Sequence, residues 1–464
     1  MVKLTPSQNT FVRTFPRWFT GDNPIAILQG DGGVGKTFSL KIALDSVSTL
    51  KKSSLILAET NEAVNVLRNS LGANYPNIKT VCSAFNLVVG TDEEGIKGQI
   101  QHREPEFEGI TLLCLDEASM VASHRLKMIL NLCAEKGIYV LLIGDEDQLP
   151  PVDGILPDND PCISPAFLEC WYLSNGFRPP VRFNLVEPCR NTSDIYEFCT
   201  AVKKLLKPKA FGLIPAKYLK PSSFLKSYLQ TPEGNLSFLN GEAVVLAYTN
   251  KRVAELNLLV RKELFGKDSE EPWLVGDRLI FRQPSKCFAK PILDNNNYFN
   301  SLVSQTGETY TTNTKAVVKG VKYKTVLGLT VVELYIHSNH YKEGKKAGYV
   351  ILPFDRQEAV AYWTKLDLQA RFDHNPDSRK KKYELRDAFC SIFNVGIHGG
   401  TVEDTRNDTK HGYAYTTHNA QGASIPIVFV DEASFKTVRN RVFKLKVQYV
   451  SYSRAVSMLV RLDN

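Results

Sequence analysis

Long apolar runs are missing from this chain. Hydrophobic residues make up 43% of its 464 positions, yet no stretch approaches the roughly 18 consecutive apolar residues of a membrane-spanning helix. The opening Met1-Val2-Lys3-Leu4-Thr5-Pro6 lacks the apolar centre of a signal peptide. Paired cysteine spacing is missing too. The nine cysteines include no Cys-x-x-Cys, which argues against a zinc knuckle, and their odd number and spread argue against a disulfide framework. Reduced thiols in a cytoplasmic setting are the expectation. With 23% charged residues the chain is neither a disordered tail nor a collagen nor a coiled coil. What is expected is a soluble monomer without membrane contact. By length it has about three folding units.

What is present is a clustered positive charge. Lys and Arg number 57 against 49 acids, a formal net charge of +8. Positions 203–220 hold six lysines and no acid, 436–446 hold five basic residues and no acid, and 379–382 read Arg-Lys-Lys-Lys. Clusters of this kind suit a phosphate polymer, whose affinity rests on counterion release. A single run taken alone is more often a solvated face.

Short apolar runs at 25–28, 55–58, 112–115 and 140–143 alternate with helical patterns at 36–50 and 62–70. Strands that are apolar throughout and separated by helices predict a parallel sheet buried on both faces. The polar, Gly- and Glu-rich segment 88–109 interrupts the pattern and reads as an inserted hairpin. A second α/β pattern follows Pro179-Pro180, with a strand at 244–248 and an amphipathic helix at 251–265. From about 275 onward, Gly, Asn and Thr clusters separate alternating runs at 317–321, 331–336 and 349–352, which predicts a small β-barrel insertion. The α/β texture resumes with 427–430 and 448–450.

The most specific signal is Gly30-Asp31-Gly32-Gly33-Val34-Gly35-Lys36-Thr37, a full match to G-x-x-x-x-G-K-[ST] between a predicted strand and helix. Glycines let backbone N–H groups turn inward around an anion, and the helix N-terminus adds its dipole. Lys36 is then placed for the β- and γ-phosphates of ATP and the Thr37 hydroxyl for Mg²⁺. Asp116-Glu117 closes the run 112–115 and offers a second Mg²⁺ ligand, Asp116, and a base for water, Glu117. Alone, such a pair is more often a helix cap; beside a P-loop it is a catalytic candidate. Gln148, after the run 140–143, can sense a γ-phosphate. Arg190 and Arg454 are isolated arginines that would each, alone, be surface residues.

In this order the motifs resemble those of superfamily 1B helicases, the Dda-like phage helicases and the related RecD and Pif1 enzymes, over nearly the whole chain. Gln8 resembles the adenine-reading Q motif, 30–37 motif I, 57–61 motif Ia, 80–85 motif Ib, 116–120 motif II, 144–152 motif III, 417–424 motif V, and Arg190 and Arg454 the arginines of motifs IV and VI. In motif Ia, Glu59-Thr60-Asn61 replaces the family's usual Pro-Thr-His, and Cys82 stands where motif Ib often has histidine.

The resemblance implies two RecA-like domains with ATP between them: 1–87 with 110–175, and 176–275 with 405–464. It also implies a strand-separating hairpin at 88–109, for which Phe107 is the one aromatic, and an SH3-like β-rich insertion at 276–404. Lys36, Glu117, Gln148, Arg190 and Arg454 would be catalytic. Gln8, Gly30 to Thr37, Gln421 and Gly422 would hold ATP, and Thr37 and Asp116 would hold Mg²⁺. Thr60, Asn61, Thr80, Ser83, Phe85, Thr417 and His418 would contact single-stranded DNA. The implied activity is ATP-driven 5′→3′ movement on single-stranded DNA with unwinding of forked duplexes, in replication or recombination, with partner proteins docking on the β-rich insertion. An RNA helicase and a nucleotide-dependent loader without strand separation are the alternatives. Trp18, Trp171, Trp273 and Trp363 read as core rather than base-stacking residues.

Overall fold

The computed structural model describes residues 4–91, 97–101, 104–151, 163–164, 171–189, 193–207, 210, 212–292, 308–339, 345–397 and 408–463. They fall into two compact units, 1–220 with 420–464, and 221–419.

The first unit is built on six strands, β1 (Ile25–Gly30), β2 (Ser54–Ala58), β3 (Ile78–Thr80), β6 (Leu112–Asp116), β7 (Tyr139–Gly144) and β8 (Val181–Leu185), in the order β3-β2-β6-β7-β1-β8. Every pairing is parallel. Alternation explains why these runs are apolar at every position. Ala26, Leu28, Ile56, Cys114, Leu141 and Ile143 face one core, while Ile25, Ile27, Leu55, Leu57, Leu113, Leu115, Val140 and Leu142 face the other. The helix Pro6–Phe19 covers the first core with Phe11, Phe15 and Trp18. Its start is fixed by a capping box between Thr5 and Gln8 and by Pro6 in the first turn.

Between β3 and β6 the strands β4 (Leu87–Thr91) and β5 (Lys97–Gln101) pair antiparallel, from Leu87↔Gln101 to Thr91↔Lys97. Phe107 is not presented by this hairpin. It is buried with its ring edge against Phe85, centroids 5.2 Å apart, and so is core rather than a wedge.

The same unit contains helix Ser193–Lys204, helix Arg441–Tyr452 and the parallel pair Ile425–Asp431 and Ala455–Asp463. Positions 448–450, expected to continue the strand texture, lie in the helix instead. Asn440 caps its start by accepting from Phe443 N at 3.0 Å, and that cap was the signal in the sequence.

The second unit has a parallel pair, Ala243–Ala247 with Ala414–Thr416, and the helix Asn250–Phe265. It also has an antiparallel sheet ordered Lys345–Pro353, Leu329–Asn339, Lys315–Val326, Arg278–Ile280, Lys410–His411. The expectation of a wholly β-rich 276–404 needs correction, because Arg356–Arg371 and Pro376–Phe393 are two packed helices. Asp355 and Asn375 cap them, Pro376 occupies the first turn, and Ala359, Val360, Trp363 and Ala370 recur at helical spacing. The basic run 379–382 sits on the second of these helices, where Lys382 pairs with Asp373 at 2.7 Å. Trp18, Trp273 and Trp363 are buried, and Trp171 stacks on Phe177 at 6.1 Å, so the tryptophans are packed rather than displayed. No helix among the described residues is long and apolar enough to cross a membrane.

Candidate nucleotide site

The carboxyl ends of neighbouring parallel strands come together at one edge of the sheet. Ala58 lies beside Asp116, Gln29 beside Gly144 and Gly30 beside Leu185. Loops leaving such an edge form the usual ligand crevice of α/β sheets. Here they enclose a cavity of about 410 Å³. Gly32, Gly33, Gly35, Lys36, Thr37, Asp116, Glu117, Gln148, Gly422 and Arg454 line it, all within the first unit.

The loop's glycines are required by shape. Gly35 has φ +80°, and a Cβ there would stand 2.6 Å from Gln8 Nε2. At Gly30 a Cβ would meet the Leu185 carbonyl oxygen at 2.7 Å. The helix Lys36–Asp45 starts from Gly35 with no side chain capping its N-terminus, leaving backbone N–H groups and the helix dipole free for an anion. Lys36 Nζ donates to the carbonyl oxygens of Gly30 at 2.8 Å and Asp31 at 3.1 Å, and so lies along the loop it would bridge to a phosphate.

Asp116 and Glu117 terminate β6 at the cavity. Burial, then the neighbouring Glu117 carboxylate, pushes Asp116 up from the ordinary carboxylate range, while Lys36 and a hydrogen bond with Thr37 pull it back. Glu117 sits in the left-handed region, φ 51° and ψ 40°, with its N–H donating to Asp116 Oδ1 at 2.9 Å. Its Oε2 is buried without a hydrogen-bond partner among the described residues. A hydroxyl beside a carboxylate, with an unsatisfied carboxylate oxygen next to them, suits Mg²⁺, which takes one or two protein oxygens plus phosphates and water.

Gln148 is buried, and its Oε1 accepts from Gln421 Nε2 at 3.0 Å. Arg454 is also buried, donating to Val450 O at 3.1 Å, Ala423 O at 3.4 Å and Ser453 Oγ at 3.0 Å. Arg190 lies outside the described residues. Gln8 does not line the cavity. Its amide is spent on protein partners, with Oε1 accepting from Thr5 N at 3.1 Å and Nε2 donating to Val34 O at 2.9 Å and Cys189 Sγ at 3.2 Å. In this structure it braces the P-loop rather than facing a base.

Of the residues expected along a DNA path, Thr60 and Thr80 cap helices Asn61–Leu71 and Val81–Ala84, accepting from Ala63 N and Ser83 N. Asn61 is half-buried and Ser83 exposed. Phe85 corrects the expectation, because it is fully buried in the core and has no face for a base. Thr417 is fully buried, with Oγ1 donating to Ala247 O at 3.5 Å. His418 lies 6.1 Å from Tyr248, ring to ring, and burial lowers its pKa.

A cluster that the sequence reading missed stands behind the P-loop. Lys203 Nζ contacts Asp31 of the loop, Asp147 at 2.7 Å and Asp145 at 3.4 Å. Burial opposes its charge, but Asp145, Asp147 and Asp31 outweigh that and raise its pKa. Tyr449 OH donates to Asp145 Oδ2 at 2.8 Å and lies 3.5 Å from Gly32 N. Helices Ser193–Lys204 and Arg441–Tyr452 therefore fasten the P-loop to the turn bearing Gln148. The only hint was a lysine inside a basic run; its acid partners lie 58 and 172 positions away.

The family model for an AAA domain (AAA_30) matches residues 3–154. The ATP-dependent DNA helicase Dda of Enterobacteria phage T4 is 24% identical over 261 residues, 55% of this chain and 56% of that protein. The ATP-dependent RecD2 DNA helicase of Deinococcus radiodurans is 31% identical over 133 residues, 29% of this chain and 17% of that protein. The chain thus matches only about half, or less, of the length of these curated relatives. A Pif1 helicase structure from Candida albicans aligns with all of this chain and 95% of its own, at 14% identity and a TM-score of 0.47. Bacteroides Pif1 bound to single-stranded DNA aligns with 99% and 92%, at 14% identity and a TM-score of 0.48.

Proposed function

We propose that this chain, a relative of the Dda-like and RecD2 helicases of superfamily 1B, is an ATP-driven motor that moves on single-stranded DNA and separates duplexes. The observation that carries the reading is the single cavity wall shared by Lys36, Thr37, Asp116, Glu117, Gln148 and Arg454. Those groups supply what phosphoryl transfer to water needs. Lys36 and the loop N–H groups hold the phosphates, Glu117 takes the proton of the attacking water, and Gln148 orients that water. Arg454 neutralises the charge that builds on the γ-phosphate. Thr37 and Asp116 would hold Mg²⁺, which adds Lewis-acid stabilisation of the phosphate oxygens.

Hydrolysis alone does not make a motor. In this reading Thr60, Asn61, Thr80 and Ser83 in one unit, and His418 in the other, contact the sugar-phosphate backbone, whereas Thr417, expected there too, is fully buried with its hydroxyl on Ala247 O; sequence preference is weak and salt dependence strong. Arg190 joins Arg454 as a second arginine at the phosphates. The segments 176–275 and 405–464 form a second RecA-like lobe, a reading supported by their parallel strand pairs. The insertion 276–404 carries, besides its two helices, an SH3-like module open to partner proteins, and the polarity is 5′→3′. The test is strand displacement with ATP on duplexes bearing a 5′ or a 3′ single-stranded tail, in DNA and in RNA. Unwinding of 5′-tailed DNA supports the reading. ATP turnover with no displacement of any substrate replaces it with the loader.

A further inference from the structure

The nucleotide cavity extends beyond the groups that the chemistry uses. Phe38 and Lys41 of helix Lys36–Asp45 line it, together with Ala63, Val66 and Ser70 of helix Asn61–Leu71. Lys41 follows Thr37 by four positions, and Ala63, Val66 and Ser70 recur at helical spacing, so each set lies on one helix face. The two faces form an arm that leaves the cavity beside Thr37 and runs about 6 Å to Lys41, four residues at a rise of roughly 1.5 Å. Its place decides which end of a nucleotide it serves. Ala63 Cβ lies 3.5 Å from where a Cβ on Gly422 would stand, and the neighbouring Gln421 donates to Gln148 at 3.0 Å. Thr37 is hydrogen-bonded to Asp116, beside Glu117. The arm thus opens at the γ-phosphate end of the cavity. Its lining suits a small anion. Lys41 is half-buried and has no ion pair or hydrogen bond among the described residues. Asp45, one turn further along the same helix, is engaged elsewhere, accepting from Tyr75 OH at 2.8 Å and facing Lys51 at 3.9 Å. Phe38 and Val66 are apolar walls, and the Ser70 hydroxyl stands at an exposed end. An ammonium in a cleft, without a fixed partner, attracts an anion more strongly than one in bulk water.

We propose that this arm is the departure route of inorganic phosphate, with Lys41 as the station that takes the anion over from Lys36 and Ser70 as a donor at the exit. Hydrolysis adds one water across the terminal phosphoanhydride of ATP and yields ADP and phosphate. ADP still held by the loop N–H groups blocks the way along the former triphosphate, whereas the arm leads off on the other side. The inference rests on the reading of the cavity as a site of ATP hydrolysis and is independent of the strand.

The test separates cleavage from release in the full chain with Mg²⁺ and ATP. Acid quench-flow follows phosphate formed, and a fluorescent phosphate-binding protein in stopped flow follows phosphate set free. Lys41→Gln should leave the hydrolysis step and the KM for ATP as they are in the unaltered chain. Release should slow about ten-fold, the scale of a partly screened ammonium–phosphate attraction, so that a burst of bound phosphate precedes it. Lys41→Arg keeps the charge and should restore release. Ser70 is exposed, so Ser70→Ala leaves folding intact, and it should slow release in the same sense by less. Thermal unfolding checks the Lys41 variants. Release that keeps pace with hydrolysis in Lys41→Gln would overturn the proposal and leave the catalytic reading in place. A raised KM with a slowed hydrolysis step would make Lys41 a ligand of ATP itself and would also overturn it. Failure of the unaltered chain to hydrolyse ATP would overturn both.

Discussion

Glu117 holds a backbone conformation that a β-substituted residue adopts at a cost of about 1–3 kcal/mol. Its N–H is pinned by Asp116 Oδ1, and its Oε2 has no hydrogen-bond partner among the described residues at the cavity wall. Those two facts suit a carboxylate kept unsatisfied for a substrate water. Glu117→Gln keeps the shape and removes the proposed base. Nucleotide binding should persist, measured with a fluorescent ATP analogue, while turnover falls by about 10²-fold or more. Loss of binding with it would make Glu117 structural. Arg454 differs, because its guanidinium also holds Val450 O and Ala423 O. Arg454→Ala should cut turnover by about 10³-fold with strand affinity nearly unchanged, and the opposite split would move Arg454 from the phosphates to the strand.

At the scale of elements, two helices remote in sequence brace the nucleotide edge of the sheet through Lys203 and Tyr449. Lys203→Met leaves Asp31, Asp145 and Asp147 facing one another without a cation. The expected cost is about 3 kcal/mol in urea unfolding, with a raised KM for ATP as the P-loop loosens. Lys203→Arg should recover much of both. A stability loss with an unaltered KM would limit Lys203 to folding. The strands, the P-loop and the carboxylate pair were legible because each depends on local chemistry: continuous apolar runs, glycines where backbone must turn, acids at a strand end. The Lys203 cluster was not, since nothing local links a lysine to acids in other loops. Helices Arg356–Arg371 and Pro376–Phe393 were overlooked for a different reason. Their charged faces outweigh narrow apolar stripes, although Asp355 and Asn375-Pro376 announced both starts. Phe85 and Phe107 were misplaced because an aromatic near a motif looks the same whether it packs inward or faces a ligand.

At the scale of the whole molecule, His411 contributes a destabilising response to acid. Burial lowers its pKa from 6.5 to about 4, against the pull of Asp277, while its Nε2 lies 3.2 Å from Pro272 O. Above the unfolded value of 6.5 neither state carries the proton, and the full stability is present. As pH falls from 6.5 towards 4 the unfolded chain takes up a proton that the folded one refuses, so stability drops across that window. The raised pKa of Asp116 acts in the opposite sense over the same window, so the difference between variants is the measurement: between pH 7 and pH 5 the urea midpoint of His411→Gln should fall less, or rise more, than that of the unaltered chain. An equal change in the variant would assign the effect to other groups.

The proposed motor function requires that the cavity around Lys36 and the nucleic-acid strand be coupled, and steady-state ATP turnover with and without oligothymidylate measures that directly. Turnover should be slow alone, rise at least about ten-fold with the strand, and vanish in both conditions for Lys36→Ala, which removes the phosphate-bridging charge. Turnover indifferent to a bound strand, or near-normal turnover in Lys36→Ala, would contradict the account.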